Sequence, residues 1–274
     1  MSGIDDLPPI SLRELVEQAE LLTRVDRKYL VPTAAVDSLL AALGGAAHVL
    51  EIDGRRTSGY RSTYLDTPDL ASARAAATGR RRRFKVRRRL YADTGAAFLE
   101  VKTSAGRGAT VKARRGTDAA IDGALTPGES AFVVAALADA GVPVPAAPLE
   151  PTLTTTYDRA TLLIAQDGAR VTIDAGLAWQ ARSGPDASRH RACLPAHVVI
   201  ETKSGTRPGA ADRALWSAGH RPVRLSKYAT GLTVVHDRTD DARDFDTGLP
   251  VGGRTRAVPT NRWHRARRLL VASA

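Results

Sequence analysis

Between residues 83 and 90 the chain alternates Arg83, Lys85, Arg87 and Arg89 with Phe84, Val86, Arg88 and Leu90. A period of two puts successive side chains on opposite faces of a strand. The segment therefore predicts a strand with one wholly cationic face and one that is mostly packable. The alternation recurs along the chain. Residues 23–31 bring Arg24, Asp26 and Lys28 to one face, and 97–103 set Glu100 and Lys102 against Leu99 and Val101. Residues 110–114 align Lys112 with Arg114, 169–175 align Arg170, Thr172 and Asp174 against Val171 and Ile173, and 197–203 align Glu201 with Lys203. Residues 60–65, which include Arg61, and 153–164, which include Tyr157 and Arg159, read as two more strands.

A period near 3.6 marks the helices. Ser11-Leu12-Arg13-Glu14 is a capping box opening a helix to about Leu22. Thr33 is expected to cap a helix that Gly44-Gly45 stops, Thr67-Pro68 opens an alanine-rich helix that Gly79 closes, and Thr126-Pro127-Gly128-Glu129 starts one running to Gly141. Residues 208–218 and 226–235 predict the last two, with Ser226 as a cap. Pro143, Pro145 and Pro148 interrupt regular structure and are the best place for a division into halves, and 182–196 reads as a loop.

Strands joined without crossover helices favour an antiparallel sheet. A sheet with cations along one face must expose that face or curl around it. The predicted class is thus α+β, an antiparallel β-barrel or tunnel with peripheral helices. One domain is expected over residues 1–238, followed by a basic, poorly ordered tail over 239–274.

Charge narrows the picture. The 274 residues carry 40 Lys and Arg against 29 Asp and Glu, a formal net charge of +11, and eight of the ten residues from Arg80 to Arg89 are basic. Phosphate-rich ligands, nucleic acid and anionic surfaces all suit such a chain. Few aromatics interleave with the arginines beyond Phe84 and Tyr91, so a stacking platform for single strands is not supported and no nucleic-acid partner is expected. The single cysteine, Cys193, excludes an intramolecular disulfide and a Cys-based metal site, is expected to be a buried bystander, and suits the cytoplasm. No apolar stretch approaches the roughly 20 residues that span a bilayer, and residues 1–9 do not form a secretory signal. The six histidines lack triad or metal spacing, and Gly106-x-Gly108 reads as a loop, not a phosphate cradle.

Cations turned into a barrel are tolerable only if it is wet and holds counterions, because isolated buried charges cost several kcal/mol or more each. A ligand made of phosphates supplies them, with Arg gripping oxygens bidentately and Lys as a point charge. The carboxylates Asp26, Glu100, Asp174 and Glu201 share those faces. They would repel phosphate unless each pairs with a cation or holds a divalent metal bridging to phosphate oxygens. Both readings are open, with Glu201 the first choice as a ligand.

These residues resemble a known family. Arg24-x-Asp26-x-Lys28-Tyr29, Tyr64-x-Asp66-Thr67, Lys85-Val86-Arg87-x-Arg89, Leu99-Glu100-Val101-Lys102, Tyr157-x-Arg159, Thr172-Ile173-Asp174, Ile200-Glu201-x-Lys203 and Ser226-Lys227-Tyr228 are similar, in order and spacing, to the catalytic domain of the vacuolar transporter chaperone (VTC) polyphosphate polymerases, which are triphosphate tunnel metalloenzymes of CYTH-like fold. The resemblance covers about residues 20–235. It implies a basic tunnel, Mn or Mg held by carboxylate, and ATP as phosphoryl donor to a growing polyphosphate chain. A catalytic set of Lys85, Arg87, Arg89, Lys102, Arg159 and Lys203 follows. Substrate contacts are expected from Arg24, Lys28, Arg61, Lys112, Arg114, Tyr157, Arg170, Ser226 and Lys227, and metal contacts from Glu201, Glu100, Asp174 and Asp26. Asp26 stands where the wider superfamily favours a Glu-x-Glu-x-Lys pattern, and the sensor and membrane domains of the eukaryotic complex have no counterpart in the sequence. A hydrolase of inorganic or nucleoside triphosphate uses the same tunnel and is the alternative enzyme. A non-catalytic polyphosphate or nucleic-acid binder is the alternative from another class. A membrane-protein partner is compatible with either enzyme.

Overall fold

A computed structural model describes residues 2–18, 25–104, 110–183, 187 and 190–236. Among the described residues, eleven strands form one sheet, and six α-helices decorate it. Its main path consists of β2 (Val25–Pro32), β11 (His197–Ser204), β9 (Ala169–Ala181), β8 (Glu150–Ile164), β4 (Ser58–Asp66), β5 (Arg83–Tyr91), β6 (Ala97–Ser104) and β7 (Thr110–Gly116), each antiparallel to the next. Three short strands lie off this path: β1 (Pro9–Ile10), β3 (Ala47–Leu50) and β10 (Arg191–Cys193).

The sheet curls strongly. In a flat sheet, six spacings of about 4.8 Å would hold β2 and β6 roughly 29 Å apart. Yet Lys102 of β6 feels Lys28 and Asp26 of β2 and Glu201 of β11, and one cavity is lined by both ends of the path. β2 and β7 are not hydrogen-bonded to each other among the described residues, so the tunnel wall has an open seam.

Alternation sorts the two faces as the sequence predicts, and helices cover the convex one. The helices α2 (Ala35–Leu43) and α5 (Ala210–Ser217) pack on Tyr29, Val31, Leu162, Val171, Ile173, Val198 and Ile200. The helix α4 (Pro127–Asp139) packs on Phe84, Val86, Leu99 and Val101. The concave side holds a third core, in which Tyr228, Leu232 and Val235 of α6 (Lys227–His236) meet Leu153, Leu177 and Trp179. The approach is so close at Gly231 that an added Cβ would lie 2.1 Å from the Trp179 ring. This seating turns the N-terminal end of α6, with Ser226 and Lys227, into the hollow.

Local signals account for most elements. The predicted capping box forms at Ser11/Glu14, and the helix start expected at Thr126 is a second capping box with Glu129. The helix α3 (Ala71–Ala77) begins where Asp66 accepts the amides of Thr67, Ser72 and Ala73. The helix α1 (Leu12–Gln18) is described only that far, and the residues to Leu22 lie outside the described ones. Other expectations change. Ala34, not Thr33, precedes α2 without a side-chain cap. The loop expected at 182–196 contains β10, and β1 and β3 are strands too short for alternation to reveal. The proline segment at 143–148 does not divide the chain into halves, because β8 beyond it pairs along its length with β4 before it. Cys193, expected buried, is exposed. Gly106, Gly108 and residues 239–274 lie outside the described residues.

Candidate active site

The Arg80–Arg89 stretch divides by strand parity. Lys85, Arg87 and Arg89 of β5 face the hollow, and the intervening Arg88 faces the convex core. Arg88 has no exposed surface; its Nε lies 2.9 Å from Glu129 Oε1 and its Nη2 2.5 Å from Oε2, while the guanidinium also donates to the carbonyls of Ala120, Gly123 and Ala124. This pairing and the capping bonds hold the Glu129 carboxyl down at about 2 although burial opposes it. Arg88 is thus a structural arginine inside the most basic stretch of the chain.

In the hollow the carboxylates Glu100, Asp174, Glu201 and Asp26 each lie beside cations. Glu100 accepts from Arg87 Nε at 2.7 Å and pairs with Lys112 Nζ at 2.7 Å. Burial would raise its pKa, but Arg87, Arg89 and Lys112 bring it down to about 2. Asp174, fully buried, binds the Arg159 fork at 2.6 and 2.9 Å and also pairs with Lys227. Glu201 pairs with Lys203 and, at 3.5 Å, with Lys28, and is held well below the usual carboxylate range against its burial. Asp26 lies 3.8 Å from Lys203. Arg170 shares the strand face of Asp174 and is Cα partner to Lys203.

Among the inward cations of the hollow, Lys85, which donates to Ser226 Oγ at 3.0 Å, Arg89, which donates to Ser62 Oγ at 3.2 Å and Tyr157 Oη at 3.1 Å, and Lys102 have no ion pair among the described residues. Burial lowers the Lys85 pKa, and Arg87, Lys102 and Lys28 lower it further while Tyr64 opposes, leaving it at about 8. Lys102 is lowered in the same direction, first by burial and then by Lys28. A lysine in that state is poised for an anion.

Aromatic rings fill the gaps in the wall. Tyr60 stacks on Tyr157 at 5.3 Å between the Arg89 and Arg159 guanidiniums, and Tyr64 stacks on Tyr228 at 4.7 Å beneath Lys85 and Arg87. Burial would push the Tyr64 phenol up, but Arg87, Lys85 and Arg89 draw it down to about 8. A cavity of about 380 Å³ opens at the β2/β6 end, lined by Asp26, Lys28, Lys85, Lys102, Arg224 and Ser226 among others. The positive end of the α6 dipole lies there too, which favours anions.

Most of the residues expected at the site thus meet in one hollow: Lys28, Lys85, Arg87, Arg89, Lys102, Tyr157, Arg159, Lys203, Ser226 and Lys227. Lys112 and Arg114 of β7 sit at its exposed rim, the latter 3.5 Å above the Phe98 ring. Arg24 lies outside the described residues. One expectation changes. Arg61 points away from the hollow, because Tyr60, Ser62 and Tyr64 occupy the inward positions of β4, and it pairs with Asp122 on the convex side. Those inward β4 residues, with Arg83 and Arg224 of the cavity wall, are the site positions that sequence reasoning misses. Parity groups Tyr60, Ser62 and Tyr64 on one face of β4 without marking that face as the inward one.

The four carboxylates do not converge: no group of three or more His, Cys, Asp or Glu is placed to hold a metal among the described residues. A divalent ion fits only in the manner of Mg²⁺ or Mn²⁺ bound by one or two carboxylates and completed by phosphate oxygens. Glu201 and Asp26 suit that role, since each faces the hollow from paired strands and shares Lys203. Glu100 and Asp174 are each held by an arginine as well as a lysine, whereas Glu201 pairs with lysines alone, one of them at 3.5 Å, so the first two are poorer candidates.

A curled antiparallel sheet with cations, paired carboxylates and tyrosines along its hollow defines a protein of the tunnel class. The chain belongs to the VTC domain family, whose model matches residues 23–236. No curated protein matches the sequence. Similar solved structures include a candidate adenylate cyclase from Bacillus halodurans, 17% identical over 74% of this chain and 94% of that one with a TM-score of 0.44. A candidate adenylyl cyclase from Hippeastrum, described as having a dominant triphosphatase activity, is 15% identical over 77% and 96% of the two chains, with a TM-score of 0.44. No helix among the described residues is long and apolar enough to cross a membrane.

Proposed function

We propose that the hollow binds the phosphate chain of ATP and of polyphosphate, and that the protein is a divalent-metal-dependent polyphosphate polymerase that transfers the ATP γ-phosphate to a growing chain. One observation carries this reading: Lys85, Arg89 and Lys102 face the hollow without a carboxylate partner among the described residues. Arg89 is buried, Lys85 partly so and Lys102 exposed at the mouth, and unpaired cations withdrawn from water are costly unless a ligand supplies the counter-charge. Membership of the VTC domain family supports the same ligand class.

In-line phosphoryl transfer needs positioning and charge stabilisation more than covalent help from the protein. Arg87 and Arg89 offer guanidinium forks to non-bridging oxygens, and Glu100 and Tyr157 hold those forks in place. Arg159 and Lys227 are tied to Asp174 and keep donors turned to the interior. Lys85, Lys102 and Lys28 supply charge at the β2/β6 end, where the leaving or entering phosphate gathers negative charge. A divalent ion held by Glu201 and Asp26 would neutralise phosphate oxygens when bound. The curved wall keeps much of this charge out of bulk water, where it acts more strongly.

The acceptor separates the polymerase from a triphosphatase using the same residues, since a chain-end phosphate gives polymer and water gives inorganic phosphate. Purified protein incubated with ATP and Mn²⁺ is expected to accumulate long phosphate polymers by gel electrophoresis; stoichiometric phosphate release without polymer would replace the polymerase reading with the hydrolase. Glu201→Gln is expected to lower turnover by about 100-fold or more while polyphosphate still binds. Unchanged turnover would remove Glu201 from the reaction.

The depressed Lys85 also sets a pH dependence. The free protein loses this proton near pH 8, whereas a bound polyanion restores the pKa towards the ordinary 10.5. Between those limits the complex holds more protons than the free protein, so affinity is expected to fall as pH rises above about 8. Calorimetry in two buffers of different ionisation enthalpy at pH 8.5 should report proton uptake on polyphosphate binding. Proton release, or none, would contradict the assigned role of Lys85.

A further inference from the structure

The convex face carries a second cationic cavity, outside both helix-covered cores. It has a volume of about 780 Å³, and Arg61, Thr154, Gln180, Arg182, Arg191 and Cys193 line it from four neighbouring strands and the residue that follows β9. Its size falls within the few hundred to about 1,000 Å³ usual for small-molecule sites.

The charges are arranged as a built site. Asp122 accepts from Arg182 Nη2 at 3.0 Å and from Thr154 Oγ1 at 3.1 Å, and also pairs with Arg61 and Thr63. Arg182 Nε donates to Thr154 Oγ1 at 2.7 Å. One carboxylate therefore orients two guanidiniums, whose combined charge exceeds its own, and Arg191 adds a third. Arg61 Nε is buried and has no hydrogen-bond partner among the described residues. A buried donor left in this way costs free energy that an oxygen acceptor from a ligand would offset. Oriented guanidinium forks match phosphate oxygens bidentately. Beside them, the Thr156 hydroxyl and the Gln180 amide can bond a polar body attached to that phosphate.

We propose that this pocket binds a phosphorylated small molecule of nucleotide size, at a site separate from the hollow. It lies back to back with the wall that holds Arg89, since Arg61 stands between Tyr60 and Ser62 on β4.

Cys193 is the only cysteine in the sequence, is exposed, and lines this pocket, so its thiol reports occupancy directly. The rate of its reaction with the neutral reagent N-ethylmaleimide is measured in the full chain with inorganic phosphate, pyrophosphate or ADP. Saturable slowing is expected, about tenfold when the anion is at ten times its dissociation constant, as mass action dictates. Slowing by pyrophosphate as well as ADP assigns recognition to the phosphates; slowing by ADP alone adds the nucleoside. Arg182→Gln and Arg191→Gln should each abolish the effect, and the exposed Arg191 provides a variant that leaves the Asp122 cluster whole. Arg87→Ala should leave it intact. The proposal fails if none of the three anions slows the reaction, if the slowing survives both arginine substitutions, or if it vanishes with Arg87→Ala, which would assign the binding to the hollow.

Discussion

Lys85→Met is expected to make the ligand-free protein more stable and at the same time to cripple its hold on polyphosphate. The lysine is withdrawn from water among Arg87, Lys102 and Lys28, and its hydrogen-bond partner is the neutral Ser226. A group whose folded pKa lies below its unfolded one disfavours folding while it is charged. That cost is fully present below about pH 8 and fades as pH rises towards 10.5. Methionine occupies a similar volume without the charge. Replacing desolvated charges by apolar groups is often stabilising by about 1 kcal/mol or more, so a rise in Tm of roughly 2–4 °C at pH 7 is expected for a chain this long. The bound phosphate loses its cation in the same step. Truncating one partner of a desolvated charge contact costs about 2 kcal/mol or more, roughly thirtyfold in dissociation constant. Thermal unfolding with and without polyphosphate measures both effects. A fall in Tm in the free protein, or unchanged affinity, would mean that Lys85 is not held in readiness for an anion.

Three positions further on, Arg88→Ala is expected to have the opposite profile. It leaves Glu129 buried beside the freed carbonyls of Ala120, Gly123 and Ala124, and it removes the tie between β5 and the start of α4. Breaking one side of a buried pair costs about 3–5 kcal/mol. Chemical denaturation should record this loss, and whatever fraction remains folded should bind polyphosphate as the unaltered protein does. If Arg88→Ala weakened binding and left stability unchanged, the division of the basic stretch by strand parity would be wrong. Lys85→Met and Arg88→Ala together test whether a run of like charges serves two purposes from alternate positions.

Parity is legible in the order of the residues. The inward set Lys85, Arg87 and Arg89, the pairing of Glu100 with Lys102 on one face, and the carboxylates Asp174 and Glu201 follow from a period of two. That period arises from the strand's own backbone and needs no knowledge of neighbours. The same rule does not tell which face of β4 looks inward. Residues 60–65 carry one charge, Arg61, and taking it as the mark of the inward face sends it to the hollow, which Tyr60, Ser62 and Tyr64 in fact occupy. The expectation of a buried Cys193 fails because burial depends on what covers a strand, and nothing local to β10 reveals that the convex face is open there.

Strand and helix existence, the surplus of positive charge and the grouping of charges by face are local properties, and the amino-acid order alone suffices for them. Partnership is not local. Arg27 meets Asp212 across 185 residues, Lys85 meets Ser226 across 141, and Lys28 reaches Glu201 only because β2 and β11 pair in one particular register. Whether a carboxylate in the hollow neutralises a lysine or is left for a metal depends on that register and on the curl of the sheet. The curl brings the two ends of the strand path into one electrostatic neighbourhood and leaves Lys85, Arg89 and Lys102 facing the hollow without an ion pair among the described residues.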